Sequence, residues 1–124
     1  MELNSAIPIW SQLRDEFSRR ITSGSWPPGS KIPSVRDLAQ MVGANPNTVQ
    51  RALSELEREG LAVSERTAGR FVTQDQDKIW LTRQKIFLEH TDQYAATMKK
   101  AGATLPQTLD LVEKQWKKGK SHDC

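Results

Sequence analysis

Between Ser34 and Gly60 the chain carries two short segments of helical apolar spacing, each opened by a capping residue and parted by one glycine. No other feature limits the possible folds as much. Ser34 opens the first segment: its hydroxyl can accept from early helix amides, and Asp37 three residues on makes an approximate capping box. Val35, Leu38, Ala39 and Val42 form its apolar stripe, and Gly43 stands where the chain must turn sharply, a place for positive φ. Asn45 caps the second segment and Pro46 takes its first turn; Val49, Ala52, Leu53 and Leu56 then supply an apolar face that ends at Gly60. Two short capped helices with a tight turn between them are a helix-turn-helix.

The flanks extend this motif into a domain. Pro8 suits a first helical position, and Ile9, Leu13, Phe17 and Ile21 recur every four residues until Gly24 offers a stop. After Gly60 the period changes to alternation: Leu61, Val63 and Phe71 mark two short strands around Arg66-Thr67-Ala68-Gly69, a hairpin or wing. Residues 75–78 are polar and carry no period, which places a boundary there. The tail then reads as a helix over 78–101, with Ile79, Ile86, Phe87, Tyr94 and Met98 on one broad side and Gly102 ending it. Thr104 with Gln107 makes a second capping box, and Leu105, Leu109, Val112 and Trp116 follow at spacings of four, three and four. The fold class expected is mainly α with a small β-hairpin: a winged helix-turn-helix domain over 7–75, a two-helix dimerisation hairpin over 78–118, and a flexible tail over 119–124.

Length and composition suit that plan. At 124 residues there is room for one compact domain and an appendage. With 36% hydrophobic and 27% charged residues the chain has enough apolar material to fold, and no apolar run approaches a membrane span. The start, Met1-Glu2-Leu3-Asn4-Ser5, lacks the layout of a secretory signal, and Cys124 has no second cysteine to pair with, so a cytoplasmic location is expected. Net charge is +3, but up to Asp77 there are nine basic against ten acidic residues, and nine against five from Lys78 onward. Overall charge therefore proves little, and nucleic-acid binding must be argued from particular faces.

The second helix of the motif carries the informative face. At about 100° per residue, Asn47, Gln50, Arg51, Ser54 and Arg58 fall in one sector opposite Val49, Leu53 and Leu56. Amides and guanidinium groups make paired hydrogen bonds to base edges in a major groove wide enough for a helix. Glu55, Glu57 and Glu59 gather at the far end, so DNA is expected to meet the leading end. Arg36, beside the turn, can reach a base or phosphate, and Arg66 and Arg70 flank Gly69 as basic shoulders of the wing. The plainer alternatives are a solvated helix face and a charged edge that discourages sheet aggregation.

Several segments carry a specific resemblance: Ile7-Pro8-Ile9-Trp10, Pro28-Gly29, Ile32-Pro33-Ser34-Val35-Arg36-Asp37-Leu38-Ala39, Asn45-Pro46-Asn47-Thr48-Val49-Gln50-Arg51-Ala52 and Leu56-Glu57-Arg58-Glu59-Gly60-Leu61. In this order, over residues 7–73, they resemble the DNA-binding domain of the GntR family, and the two-helix tail is similar to its short YtrA-like subfamily. The resemblance implies a homodimer on an inverted-repeat operator, often repressing transport genes. It also implies DNA contact through Arg36, through Asn45, Pro46, Asn47, Thr48, Gln50 and Arg51, and through the wing glycine Gly69. The residues' own placement adds Ser34 beside Arg36 and the basic shoulders Arg66 and Arg70 to the expected DNA-binding set. Where many relatives have arginines in the recognition helix this chain has Pro46 and Gln50, and Thr67 replaces the wing's usual first glycine. The family's base preference therefore does not transfer.

A two-helix hairpin is too small to stand alone, so its stripe, Ile79, Ile86, Phe87, Tyr94, Met98, Leu105, Leu109, Val112 and Trp116, is expected to meet the same hairpin of a second copy. Larger family members carry an effector domain at this point; here a small ligand between the two helices is the open alternative, and the sequence indicates none. No cofactor is expected. His122 and Cys124 are two candidate ligands at a chain end, short of a metal site. His90 has Tyr94 rather than a ligand four residues on, and the four tryptophans read as packing. Neither a phosphate-cradling glycine loop nor a nucleophile elbow is present, so an enzyme reading has no residues behind it. The rival readings are a winged helix that contacts protein and an architectural DNA binder without sequence preference, the latter disfavoured by the amide-rich face.

Overall fold

The structure, a computed structural model, describes residues 5–122, and the side chains of 5–118. Cys124 and the first four residues lie outside the described residues, as does the side chain of His122. The element order is α1 (Ile9–Thr22), α2 (Val35–Val42), α3 (Pro46–Arg58), β1 (Ala62–Glu65), β2 (Gly69–Val72), α4 (Gln76–Lys100) and α5 (Leu105–His122). Among the described residues, five helices and one small antiparallel hairpin match the fold class read from the sequence. The chain divides into two compact units between Gln84 and Lys85.

In the first unit, α2 and α3 start where a side chain supplies a partner for a free amide. The Ser34 hydroxyl accepts from the Asp37 amide at 3.1 Å, and Asn45 Oδ1 accepts from the Asn47 amide at 2.8 Å. Pro8 is itself the cap of α1, one position earlier than expected. Gly43 ends α2 at φ 69°, the left-handed turn that brings α3 around; the space at its missing Cβ is open, so backbone conformation alone demands glycine.

These helices pack through the stripes their spacing defines. Leu13 and Phe17 of α1, Leu38 of α2 and Val49, Ala52, Leu53 and Leu56 of α3 are completely buried, and Val35 and Val42 pack half-buried against them. Burial of each large side chain contributes about 1.5–3 kcal/mol. Ile9, counted in the α1 stripe, is exposed. Trp26, in the connection after α1, stacks on Phe17 with ring centroids 5.4 Å apart.

The wing pairs Ala62 with Val72 and Glu65 with Gly69. The segment before α2 lies along its other edge: the Ile32 amide donates to the Arg70 carbonyl and the Val72 amide to the Ser30 carbonyl, both at 2.9 Å. β2 is thus held on both sides, an edge that alternation alone did not reveal.

The boundary expected at 75–78 moves, because α4 starts as part of the first unit. Asp75 Oδ1 caps it, accepting from the amides of Asp77 and Lys78. Arg83 Nε donates to the Thr22 carbonyl at 2.9 Å. Ile79, read from the sequence as a dimer-interface residue, is 3% exposed and belongs to this core. Its place on an apolar stripe was right and its partner was not: helical period does not say which surface a stripe meets.

The second unit comprises the rest of α4 and α5. Gly102 takes φ 90° at the turn, and a full capping box follows: the Thr104 amide donates to Gln107 Oε1 at 2.8 Å and the Gln107 amide to Thr104 Oγ1 at 3.3 Å. Beside this turn Met98, Ala103 and Thr108 are half-buried around a cavity of about 160 Å³. Away from it the apolar side chains are uncovered. α5 continues through Gly119 to His122 where a flexible tail was expected from 119; a lone helical glycine costs about 1 kcal/mol, too little to end a helix by itself. No helix among the described residues is long and apolar enough to cross a membrane.

Candidate nucleic-acid interface

The site is a consequence of how α3 packs. With Val49, Ala52, Leu53 and Leu56 buried, the opposite face of the same helix must point outward, and Asn47, Gln50, Arg51, Ser54 and Arg58 are all exposed on it. Gln50 Nε2 donates to Ser54 Oγ at 3.2 Å, which leaves the Gln50 carbonyl oxygen directed away from that bond. Thr48 is half-buried and Pro46 fills the first helical position. Asn45 is exposed, but its side-chain oxygen is engaged in the cap. Its amide nitrogen remains for a partner.

Charge along α3 is sorted. The first turn has no acidic residue. Each acid further along is paired: Glu55 with Arg58 at 2.6 Å, Glu57 with Arg70 at 2.6 Å, Glu59 with Arg14 at 2.9 Å. Burial works to raise the Glu57 carboxyl, but hydrogen bonds from Arg70 and Ser64 outweigh it and hold the group below the usual carboxylate range. The leading end therefore presents amides, Arg51 and the positive pole of the helix, while the acids behind it are neutralised locally.

These pairings reassign one predicted contact. Arg70, read as a basic shoulder of the wing, is half-buried and committed to Glu57, so it ties β2 to α3 rather than standing free. Arg66, in the hairpin turn, is exposed, and among the described residues it forms no ion pair. Gly69 has φ 112°, and a Cβ there would sit 2.9 Å from Lys31 Cε. Lys31 is thus a second exposed cation at the wing that the sequence reading missed; its only signal was adjacency to the segment before α2, whose strand-like pairing was not foreseen. Ser34 and Arg36 are both exposed, Ser34 at the start of α2 and Arg36 in its first turn.

The Arg51 guanidinium carbon lies 4.2 Å from the ring centroid of Trp10, on α1. Behind the hydrogen bond from Arg58, the Arg51 charge also helps to hold the Glu55 carboxyl below the usual carboxylate range. In the second unit Phe87, Tyr94, Leu105, Leu109, Val112 and Trp116 are exposed, Trp116 to 75%, while Ile86 and Met98 are half-buried. Leu88 and Leu111, which lie off the predicted stripe, are exposed as well, at 63% and 46%.

Residues 10–72 match the model of the family described as bacterial regulatory proteins, gntR family. The chain belongs to the GntR family. As a member it is a DNA-binding transcriptional regulator. It is 32% identical to the uncharacterized HTH-type transcriptional regulator YhcF of Bacillus subtilis over 90% of this chain and 93% of that one. It is 41% identical to the HTH-type transcriptional repressor YtrA of the same organism over 57% of this chain and 55% of that one. Among solved structures, a GntR family regulator from Listeria monocytogenes has a TM-score of 0.83 at 29% identity, covering 90% of this chain and 98% of that one. The DNA-binding domain of AraR in complex with operator ORE1 has a TM-score of 0.52 at 32% identity, covering 58% of this chain and 90% of that one. The GntR family resemblance read from residues 7–73 and the two-helix tail is thereby shown.

Proposed function

We propose that this GntR member is a homodimeric repressor that reads an inverted-repeat operator through the leading half of α3. The observation that carries the reading is the exposure of Asn47, Gln50 and Arg51 together on the reverse of a fully buried helix face, at an end free of acids. Base contacts come from these three, with Thr48 and Pro46 shaping the helix start. Ser34, Arg36 and the Asn45 amide position the phosphate backbone, and Arg66 and Gly69 bring the wing alongside. Arg70 acts indirectly, by anchoring the wing. The solved AraR complex, whose protein shares this domain at 32% identity, supports DNA as the partner, and the similarity to a relative named as a repressor supports repression.

Dimerisation rests on the second unit. Exposed Phe87, Tyr94, Leu105, Leu109, Val112 and Trp116 form more apolar surface than a two-helix element leaves open without a partner, and a second copy offers the same surface in return. A homodimer sets two α3 helices on half-sites about one helical turn apart and joins two weak contacts into one strong one. The chain acts in the cytoplasm, with transport genes as the regulated set that the family resemblance suggests.

Selection from randomised duplexes tests the proposal. It should enrich an inverted repeat with half-sites spaced by about 10 base pairs, bound with an affinity that falls steeply as salt rises. A pool that ends as random as it began would contradict it.

A further inference from the structure

The geometry points to Trp10 as a positioning residue for base recognition: stacked against the guanidinium of Arg51, it holds that group ready for the major groove. The inference rests on the α3 reading above and adds a residue from a different helix to it. Three observations support it. The Arg51 guanidinium carbon is 4.2 Å from the Trp10 centroid, well inside the range of a cation–π contact. Among the described residues, Arg51 has no hydrogen bond or close ion pair to compete with this one, only a longer-range attraction to Glu55 on its own helix, which is itself paired with Arg58. Arg14, Arg58 and Arg70, by contrast, are each committed to a glutamate. Trp10 is only half-buried, so its ring is a platform at the edge of the core and not a filler of it.

The two interactions of a guanidinium use different parts of the group. Stacking occupies its face; paired hydrogen bonds to a base use the N–H groups along its edge. An arginine held by its face therefore keeps its full recognition capacity, while the long side chain loses rotamer freedom before DNA arrives and not at the moment of binding. Trp10 lies near the start of α1, which the buried stripe of Leu13 and Phe17 fixes against α3, so the platform cannot drift from the helix it serves.

The test is a double-mutant cycle on the full chain, with Trp10→Leu, Arg51→Ala and both together. Affinity is read on the selected duplex, on its single base-pair variants and on random duplex. Trp10→Leu alone should weaken selected-duplex binding about three- to tenfold and relax preference at the base pair that Arg51→Ala also relaxes. In the Arg51→Ala background the same change should cost nothing further, and Trp10→Phe should restore most of the loss because it keeps an aromatic face. An equal loss in both backgrounds would make Trp10 a packing residue and overturn the inference alone. If the wild-type chain prefers no duplex over random sequence, the reader proposal itself falls, and this inference with it.

Discussion

Arg70 Nε lies 2.6 Å from Glu57 Oε1, joining the second strand of the wing to the last turns of the recognition helix. Ser64 on the opposite strand donates to the same carboxylate oxygen. One glutamate on α3 thus bonds to both strands of the wing, alongside the backbone bonds of Ser30 and Ile32 to β2.

Glu57→Gln should loosen this clamp. The variant should fold, lose under about 1 kcal/mol of stability, and show faster amide exchange in β1 and β2 with little change elsewhere. Because the folded-state carboxyl is held below its ordinary value, its contribution is fully present above the usual carboxylate range and is lost as pH falls through and below that range. Stability profiles of wild type and variant should therefore differ near neutral pH and converge in acid. A constant gap at all pH values would mean that the carboxylate charge is irrelevant.

Asn45→Ala should cost about 1 kcal/mol of thermal or denaturant stability, since the Asn47 amide loses its cap acceptor, and Asn45→Ser should recover most of it. Equal stability of all three proteins would show that the cap is not made in solution.

Gln50→Ala removes an exposed side chain whose only described bond is to Ser54. It should leave the melting temperature unchanged while costing about 1–3 kcal/mol on the selected duplex and relaxing choice at one base pair per half-site. Uniform weakening on all duplexes would instead place Gln50 on the phosphate backbone.

Trp116→Ala tests assembly. With the residue 75% exposed, its removal should not disturb the first unit, yet it should weaken self-association by about 2 kcal/mol, roughly thirtyfold, as read by sedimentation equilibrium. Operator affinity should fall in parallel. Unchanged association would take Trp116 out of the interface.

What could be read from the sequence was what depends on near neighbours. Ser34, Asn45 and Thr104 cap their helices through atoms two or three residues away, and Gly43 reports a backbone conformation that it alone sets. The exposed face of α3 followed because helical period fixes its reverse once Val49, Leu53 and Leu56 are buried. The misreadings that bear on the site involve distant partners. Arg70 looked free because Glu57, thirteen residues earlier, reaches it only after the hairpin closes. Ile79 sat on a stripe shared with the tail, but the core that receives it is built from residues 13–72. Arg51 was legible as a reader; the ring of Trp10 beneath it, forty-one residues away in sequence, was not.

Sequence-specific binding by this chain depends on base edges in the major groove meeting the start of α3. Replacing purines of the selected duplex one at a time by their 7-deaza analogues removes a major-groove acceptor while leaving base pairing intact. Equilibrium titrations should then show losses of about 1–3 kcal/mol at a few positions within each half-site, and Gln50→Ala or Arg51→Ala should abolish the sensitivity at one position each. Undiminished affinity at every substituted purine would contradict the claim.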